Sequence, residues 1–348
     1  MMCYSFTEFH RKLKLMQSDR FSTLLSCMKD LKIVVIGDLI ADEYIYCETN
    51  RVSREAPVLI VQYQNETLGM GGALNVVHNL ASLGATVIPV GILGNDSLGN
   101  ALLDMIREQK ISTEGIIQRE NFTTIAKTRI LASSFHTTLQ QVLRIDRGKL
   151  EVHESDTALL VQERALDFID GADGVILSDY GYGDLSDKLL EHLRNKVSQK
   201  EMLVSADSRY SLPRFHGLTA ITPNEPEVQK IMGLRLDSNE NLIASGKQLL
   251  EHMKMKTVLI TRGKMGMALF EAGKDPYFIP VYGSDEVADV SGAGDTVIAT
   301  FTLALAAGAS IKSAALLANY AGGIVVTRRG AATVTTNELK QAVADRHL

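Results

Sequence analysis

The sequence predicts an α/β protein built on a doubly wound, mostly parallel sheet flanked by helices. Short apolar runs rich in β-branched residues alternate with amphipathic stretches of helical period, and two glycine-rich turns each open an apolar helix. Runs that stay apolar at every position belong to strands covered on both faces. Lys32 to Gly37 (KIVVIG), Thr86 to Gly91, Gly174 to Ser178, Met202 to Ala206 and Thr257 to Thr261 read as such strands. Between them the spacing predicts helices near 98–109, 156–169, 186–197 and 238–253. Alternation of this kind implies right-handed crossovers between parallel strands.

Two segments break the pattern, Tyr44 to Tyr63 and Ile116 to Arg147, where strand-like pieces (VLIVQY, TIAKTRIL, LQQVLRID) follow one another with little helix between. They predict a small inserted β-sheet acting as a lid over the carboxyl ends of the parallel strands, where folds of this class bind ligands. Residues 1–30 read as an N-terminal helical extension and 31–348 as one domain carrying lid segments near 44–63 and 116–147. No internal repeat or linker divides the chain.

Composition narrows the function. Against 36 Lys and Arg stand 41 Asp and Glu, a net charge of -5, the wrong sign for a general nucleic-acid or anionic-membrane binder. Cys3, Cys27 and Cys47 are widely spaced, with no pairing or zinc pattern, and read as reduced thiols. No run approaches the roughly 18 apolar residues a membrane span requires, and no leader is visible, so a cytoplasmic protein is expected. The Asn65 and Asn121 N-x-T triplets carry no weight without secretion.

Two familiar nucleotide signatures, the P-loop and the G-x-G-x-x-G turn, are missing. In their place stands Asp289-Val290-Ser291-Gly292-Ala293-Gly294-Asp295-Thr296, followed by the apolar helix VIATFTLALAAGA. Glycines at a helix start let successive backbone N–H groups converge on an anion, helped by the helix dipole. A carboxylate there repels phosphate unless it has a task, and accepting the proton of an attacking hydroxyl is one. The plainer alternative is an Asp stabilising the first helical turn. A second cluster, Gly69 to Asn75, precedes the uncharged helix Ala73 to Leu83; Gly71 and Gly72 allow close backbone approach, and Asn75 offers an amide to a sugar hydroxyl. Tight packing is the competing explanation for that glycine pair.

Gly71-Gly72 with Asn75, then Asn224-Glu225-Pro226-Glu227, then Gly292-Ala293-Gly294-Asp295 resemble, in order and spacing, the ribokinase-like (PfkB) carbohydrate kinases over residues 32 to about 342. Within that family Gly37-Asp38 with Asp42, Arg51 to Val58, Gln140 to Asp146, Leu177 to Gly181 and Leu317 to Asn319 are similar to the kinases of D-glycero-D-manno-heptose 7-phosphate. The resemblance implies ATP and Mg2+ as cofactors, a monovalent cation as a further candidate, and phosphorylation of the anomeric hydroxyl. It implies Asp295 as general base, with Gly292, Ala293 and Gly294 as the anion hole. Asp38, Gly71, Gly72, Asn75, Arg144, Asp179 and Arg209 would face the sugar. Asn224, Glu227, Thr261, Arg262, Gly263, Gly266 and Asn319 would face the nucleotide, with Glu227 reaching the metal through water.

Asp38 and Asp179 follow buried strands and could instead cap neighbouring turns, and Asn319 could simply be packed. For the phosphate already on the sugar, Arg51, Arg54, Lys127, Arg129, Arg144 and Arg209 are candidate partners. The chain departs from the subfamily pattern at Tyr182, where relatives tend to have lysine, and at Ser208-Arg209, where many have Pro-Lys. Two alternatives stay open: another sugar or nucleoside kinase of this fold, and a catalytically silent sugar-binding module. The nucleotidyltransferase half of bifunctional relatives is not expected here, and exposed lid edges predict a homodimer.

Overall fold

The computed structural model describes residues 21–133, 139–148, 156–283 and 289–345. A nine-stranded sheet forms the centre, in the order β13-β12-β11-β10-β9-β8-β1-β4-β5. Its strands are β1 (Lys32–Gly37), β4 (Thr86–Gly94), β5 (Ile116–Arg119), β8 (Gly174–Asp179), β9 (Val204–Ser208), β10 (Ala220–Ile221), β11 (Thr257–Thr261), β12 (Met267–Glu271) and β13 (Tyr277–Ile279). Neighbours pair in parallel except on either side of β12, which alone runs against the rest.

The period-2 alternation of β1 shows why the sheet is wound on both faces. Ile33 and Val35 join one apolar cluster and Val34 and Ile36 the other, all fully buried. On the first face pack helices α1 (Ala73–Ser82), α2 (Ser97–Glu108), α7 (Ala293–Ala306), α8 (Ile311–Val325) and α9 (Thr336–Asp345). On the second lie α3 (Asp156–Ile169), α4 (Asp187–Ser198), α5 (Glu225–Met232) and α6 (Asn239–His252). The α7 helix is apolar all round and buried from Asp295 to Ala304, lying against β8, β9 and α1.

A second sheet, ordered β3-β2-β6-β7, contains β2 (Leu39–Val52), β3 (Leu59–Gly72), β6 (Ile125–Ser133) and β7 (Gln140–Arg147). Its strands differ from the predicted lid boundaries. The β2–β3 hairpin extends beyond 44–63 in both directions, and Ile116–Arg119 is the outer strand of the main sheet, parallel to β4, rather than part of the lid. That strand is short and only half-buried, so its pattern does not distinguish an edge of one sheet from a piece of another. Residues 21–27 are helical, and most of the predicted N-terminal extension, including Cys3, lies outside the described residues. Cys27 is exposed and Cys47 buried, both as free thiols.

Candidate active site

Parallel strands bring their carboxyl ends to one edge, and the polar residues that follow them collect there. Asp38 follows β1, Asp179 ends β8, Asp207 lies at the end of β9, Asn224 follows β10 and Thr261 ends β11, with Asn224 and Thr261 bridged in parallel. The N-terminus of α7 points into the same region. Gly292 is its N-cap in the left-handed conformation (φ 76°), which glycine adopts without penalty.

Asp295, in the first turn of α7, is 4% exposed. Asn75 Nδ2 donates to its Oδ2 at 2.8 Å and the Tyr180 hydroxyl to its Oδ1 at 2.9 Å. Asn79, one turn along α1, donates from Nδ2 to the Asn75 carbonyl at 2.9 Å and to Asn75 Oδ1 at 3.3 Å, so the Asn75 amide turns its N–H side toward Asp295. Burial pushes the Asp295 carboxyl up to about 6, against the opposing pull of those two donors and of Arg209. An ionised carboxylate with this value can accept a proton near neutral pH.

Asp38 and Asp179, equivalent in the sequence, differ here. Asp179 is committed on both oxygens: Gly181 N–H donates to Oδ1 at 3.0 Å and the Ser208 hydroxyl to Oδ2 at 2.6 Å. That is the turn-capping alternative, and Ser208 supplies a hydrogen bond that proline could not. Asp38 uses only Oδ2, accepting from Tyr180 N–H at 2.6 Å and Tyr182 N–H at 3.3 Å, while its buried Oδ1 has no protein partner. Burial, and then the Asp179 charge, push Asp38 up to about 7.

The glycines before α1 have internal reasons to be glycine. A Cβ on Gly71 would meet the Asp42 carboxylate at 2.6 Å, and one on Gly72 (φ 57°) would meet the Asp38 carbonyl at the same distance. On the face of the small sheet that carries Asp42, register places Lys127 opposite Asp42 and Arg129 opposite Tyr44. Arg129 pairs with Asp42 at 2.6 Å. The Lys127 ammonium lies 4.3 Å from the Tyr180 ring centroid and the Arg209 guanidinium 5.2 Å from it. Burial, then the Arg209 charge, bring Lys127 down to about 8. Arg144 instead grips Asp146 with two hydrogen bonds, and Arg51 lies near the exposed far end of β2, with Arg54 in the exposed turn beyond it.

On the other side, Asn224 and Glu227 form a reciprocal capping box at the start of α5, each accepting at 2.9 Å from the other's backbone N–H. Burial, then the Glu227 charge, push Asp207 well above the usual carboxylate range, and burial raises Glu227 too. Asp207 and Glu227, raised by burial near Asp295 with Arg209 the one cation acting on all three, suit a divalent cation as a further counter-charge. No group of three or more His, Cys, Asp or Glu among the described residues forms a protein cage, so Asp207 and Glu227 would hold Mg2+ through waters and nucleotide phosphates. Arg262 pairs with Glu225 at 2.8 Å, and Gly266 allows close approach of the Ile279 carbonyl, whereas Gly263 (φ 52°) faces open space. The Asn319 side chain is tied to the Pro280 carbonyl at 2.9 Å.

Neither Tyr180 nor Asp207 carries a sequence signal for this site. Their partners lie on other elements, and only the fold brings them together.

A doubly wound sheet with polar groups gathered at its carboxyl edge is a ligand-binding scaffold, and comparison with known proteins gives its class: the chain matches the pfkB family carbohydrate kinases over residues 30–338 and belongs to that family. It is a phosphotransferase acting on a sugar hydroxyl, in a family that uses ATP. The bifunctional protein HldE of Desulfatibacillum aliphaticivorans is 40% identical over 325 residues, 92% of this chain and 65% of the relative. That of Mesorhizobium japonicum is 40% identical over 319 residues, 90% of this chain and 62% of the relative. The chain thus spans less than two-thirds of the length of these relatives. Escherichia coli phosphofructokinase-2 in complex with potassium shares the fold, with a TM-score of 0.71 at 16% identity, covering 91% of this chain and 99% of the other. Arabidopsis thaliana ribokinase complexed with ribose and ATP gives 0.68 at 19%, covering 92% and 99%. Among the described residues no helix is long and apolar enough to cross a membrane.

Proposed function

We propose that the chain phosphorylates the anomeric hydroxyl of D-glycero-D-manno-heptose 7-phosphate, giving the 1,7-bisphosphate. The observation that carries it is Asp295, a buried carboxylate held by Asn75 and Tyr180 at the glycine-rich start of α7, beside the Lys127, Arg129 and Arg209 cations. The similarity to the HldE proteins supports the heptose. The free Oδ1 of Asp38 receives a sugar hydroxyl, and Asn75 serves the sugar and the base together. Asp295 takes the proton of the attacking hydroxyl as that oxygen bonds to the γ-phosphorus and the bond to the β-phosphate bridge breaks. The N–H groups of Gly292 and Gly294 receive the charge that develops on the transferred phosphoryl, joined by that of Ala293 once it leaves the Val290 carbonyl it meets at 3.3 Å. Bound Mg2+ supplies charge neutralisation on the phosphates, with Asp207, Asn224 and Glu227 on its side of the site. Thr261 to Gly266 and Asn319 flank the nucleotide, and the β2–β3–β6–β7 sheet excludes water.

In the same reading Arg144, already occupied by Asp146, shapes the lid rather than holding the phosphate. A monovalent cation is included as an activator, tested by the rate in potassium against choline chloride. The test of the substrate is ATP consumption with Mg2+ against heptose 7-phosphate, fructose 6-phosphate, ribose, fructose and adenosine. Selective turnover of the heptose phosphate is expected; preferential turnover of another member discards the heptose. We also propose a cytoplasmic homodimer, because the face of the small sheet turned away from Asp42 and Lys127 exposes Tyr63, Leu143 and Ile145. Sedimentation at micromolar concentration is expected to give twice the 38.1 kDa chain mass, and a monomer contradicts it.

A further inference from the structure

We propose that Tyr180 is a positioning residue for Asp295: its hydroxyl fixes one carboxylate oxygen while its ring is gripped by Lys127 and Arg209. The inference rests on the reading of Asp295 as the proton acceptor.

A carboxylate in the first turn of a helix swings about its terminal torsion, which is broad and roughly two-fold. Two donors on two different elements remove that freedom. Asn75 comes from α1 and holds Oδ2; Tyr180 comes from the turn after β8 and holds Oδ1. Each oxygen keeps acceptor capacity for the substrate proton. The phenol stays protonated throughout, because burial and then the Asp295 charge push it well above its ordinary value. It acts as a fixed donor and takes no part in the proton's route.

The rest of the residue is equally constrained. Its backbone N–H donates to Asp38 Oδ2 at 2.6 Å, so one residue holds Asp38 through its main chain and Asp295 through its side chain. Both the Lys127 ammonium and the Arg209 guanidinium lie against its ring, 4.3 and 5.2 Å from the centroid, the cations placed to meet an anionic sugar. Arg209 N–H donates to the Asp179 carbonyl at 3.0 Å, which anchors that cation's strand end to the Tyr180 turn. A phosphate-bearing sugar drawn to these cations therefore lies against the residue that aims the base.

Tyr180→Phe keeps the ring, and with it the Lys127 contact, and removes the hydroxyl that donates to Asp295 and meets the Arg209 side chain. The experiment combines steady-state kinetics with a carboxyl 13C NMR titration of the full chain labelled at aspartate Cγ, the Asp295 signal being the one missing from Asp295→Asn. In Tyr180→Phe the Asp295 midpoint is expected to rise by about one unit, since a donor to the charged form is gone. The turnover number falls roughly tenfold at pH 7 and partly recovers at higher pH, with the sugar KM changed less than about twofold. A midpoint within about 0.2 of wild type, with an unchanged pH profile, overturns the inference and leaves the Asp295 reading intact provided Asp295→Asn is inactive. Near-normal turnover in Asp295→Asn overturns both.

Discussion

Gly292→Ala separates the catalytic reason for this glycine from the conformational one. Gly292 sits at φ 76°, and a Cβ there would meet Asn75 Nδ2 at 2.3 Å. An alanine held in the left-handed region costs about 1–2 kcal/mol. With an unfolding entropy of roughly 2.1 cal/mol/K per residue, the 348-residue chain loses about 1–3 °C of Tm from that strain alone. The steric effect adds to it, because the atom displaced is the one that donates to Asp295 Oδ2 at 2.8 Å. A hydrogen bond to a charged group contributes about 1.5–3 kcal/mol, so losing it in the transition state lowers kcat by roughly 10- to 100-fold. Gly273→Ala is the control, with φ 75° and nothing within 4 Å of the new Cβ. Coupled-enzyme kinetics and thermal denaturation should show the conformational loss in Tm in both variants, a further loss in Gly292→Ala, and a fall in kcat confined to Gly292→Ala. A Gly292→Ala enzyme with kcat within about twofold of wild type refutes the coupling of Asn75 to the base.

Further expectations concern charge. Burial holds Asp295 up to about 6 in the free protein and it must be ionised to accept a proton, so kcat/KM falls as pH drops through about 6; a kcat/KM flat to pH 5 contradicts this. Asp38 binds its proton more tightly folded, at about 7, than at its ordinary 3.8. Its contribution to stability is therefore fully present below 3.8 and is lost as pH rises through about 7. Asp38→Asn should accordingly gain Tm relative to wild type at pH 8 compared with pH 5, while losing sugar affinity; an equal difference at both pH values refutes the assignment. Lys127→Ala should raise the KM for the sugar phosphate at least about tenfold and leave that for ATP unchanged, and the reverse pattern would place Lys127 outside the sugar site.

The main sheet was legible because its central strands carry unbroken apolar runs, as Ile33–Gly37 shows, and a short run of that kind fits a strand covered on both faces. The two-residue strand Ala220–Ile221 is too short to carry a period, and Ile116–Arg119 is readable as strand but not as a member of a particular sheet. The edge proposed as catalytic is legible through Gly292 to Asp295 and Asn75, since glycine placement before a helix is a local signal. What the chain could not disclose is the use of each polar group. Asp38 and Asp179 each follow an apolar strand, yet one retains a free buried oxygen and the other has both oxygens occupied. Tyr180 meets Asp295 across 115 residues of sequence, a contact made by topology and marked by no spacing. Gly71 and Gly72 read in the sequence as openings for a ligand; an added side chain there would meet Asp42, Asp38 or Ile40, so packing by itself already requires glycine at both.

The most direct test of the account is the turnover of Asp295→Asn beside wild type, with Mg2+, ATP and heptose 7-phosphate, alongside equilibrium binding of ATP to both. The asparagine keeps the shape of the side chain and removes the proton acceptor, so kcat should fall at least roughly 100-fold with ATP affinity and Tm little changed. Turnover within a few-fold of wild type would contradict the assignment of Asp295 as the base on which phosphoryl transfer depends.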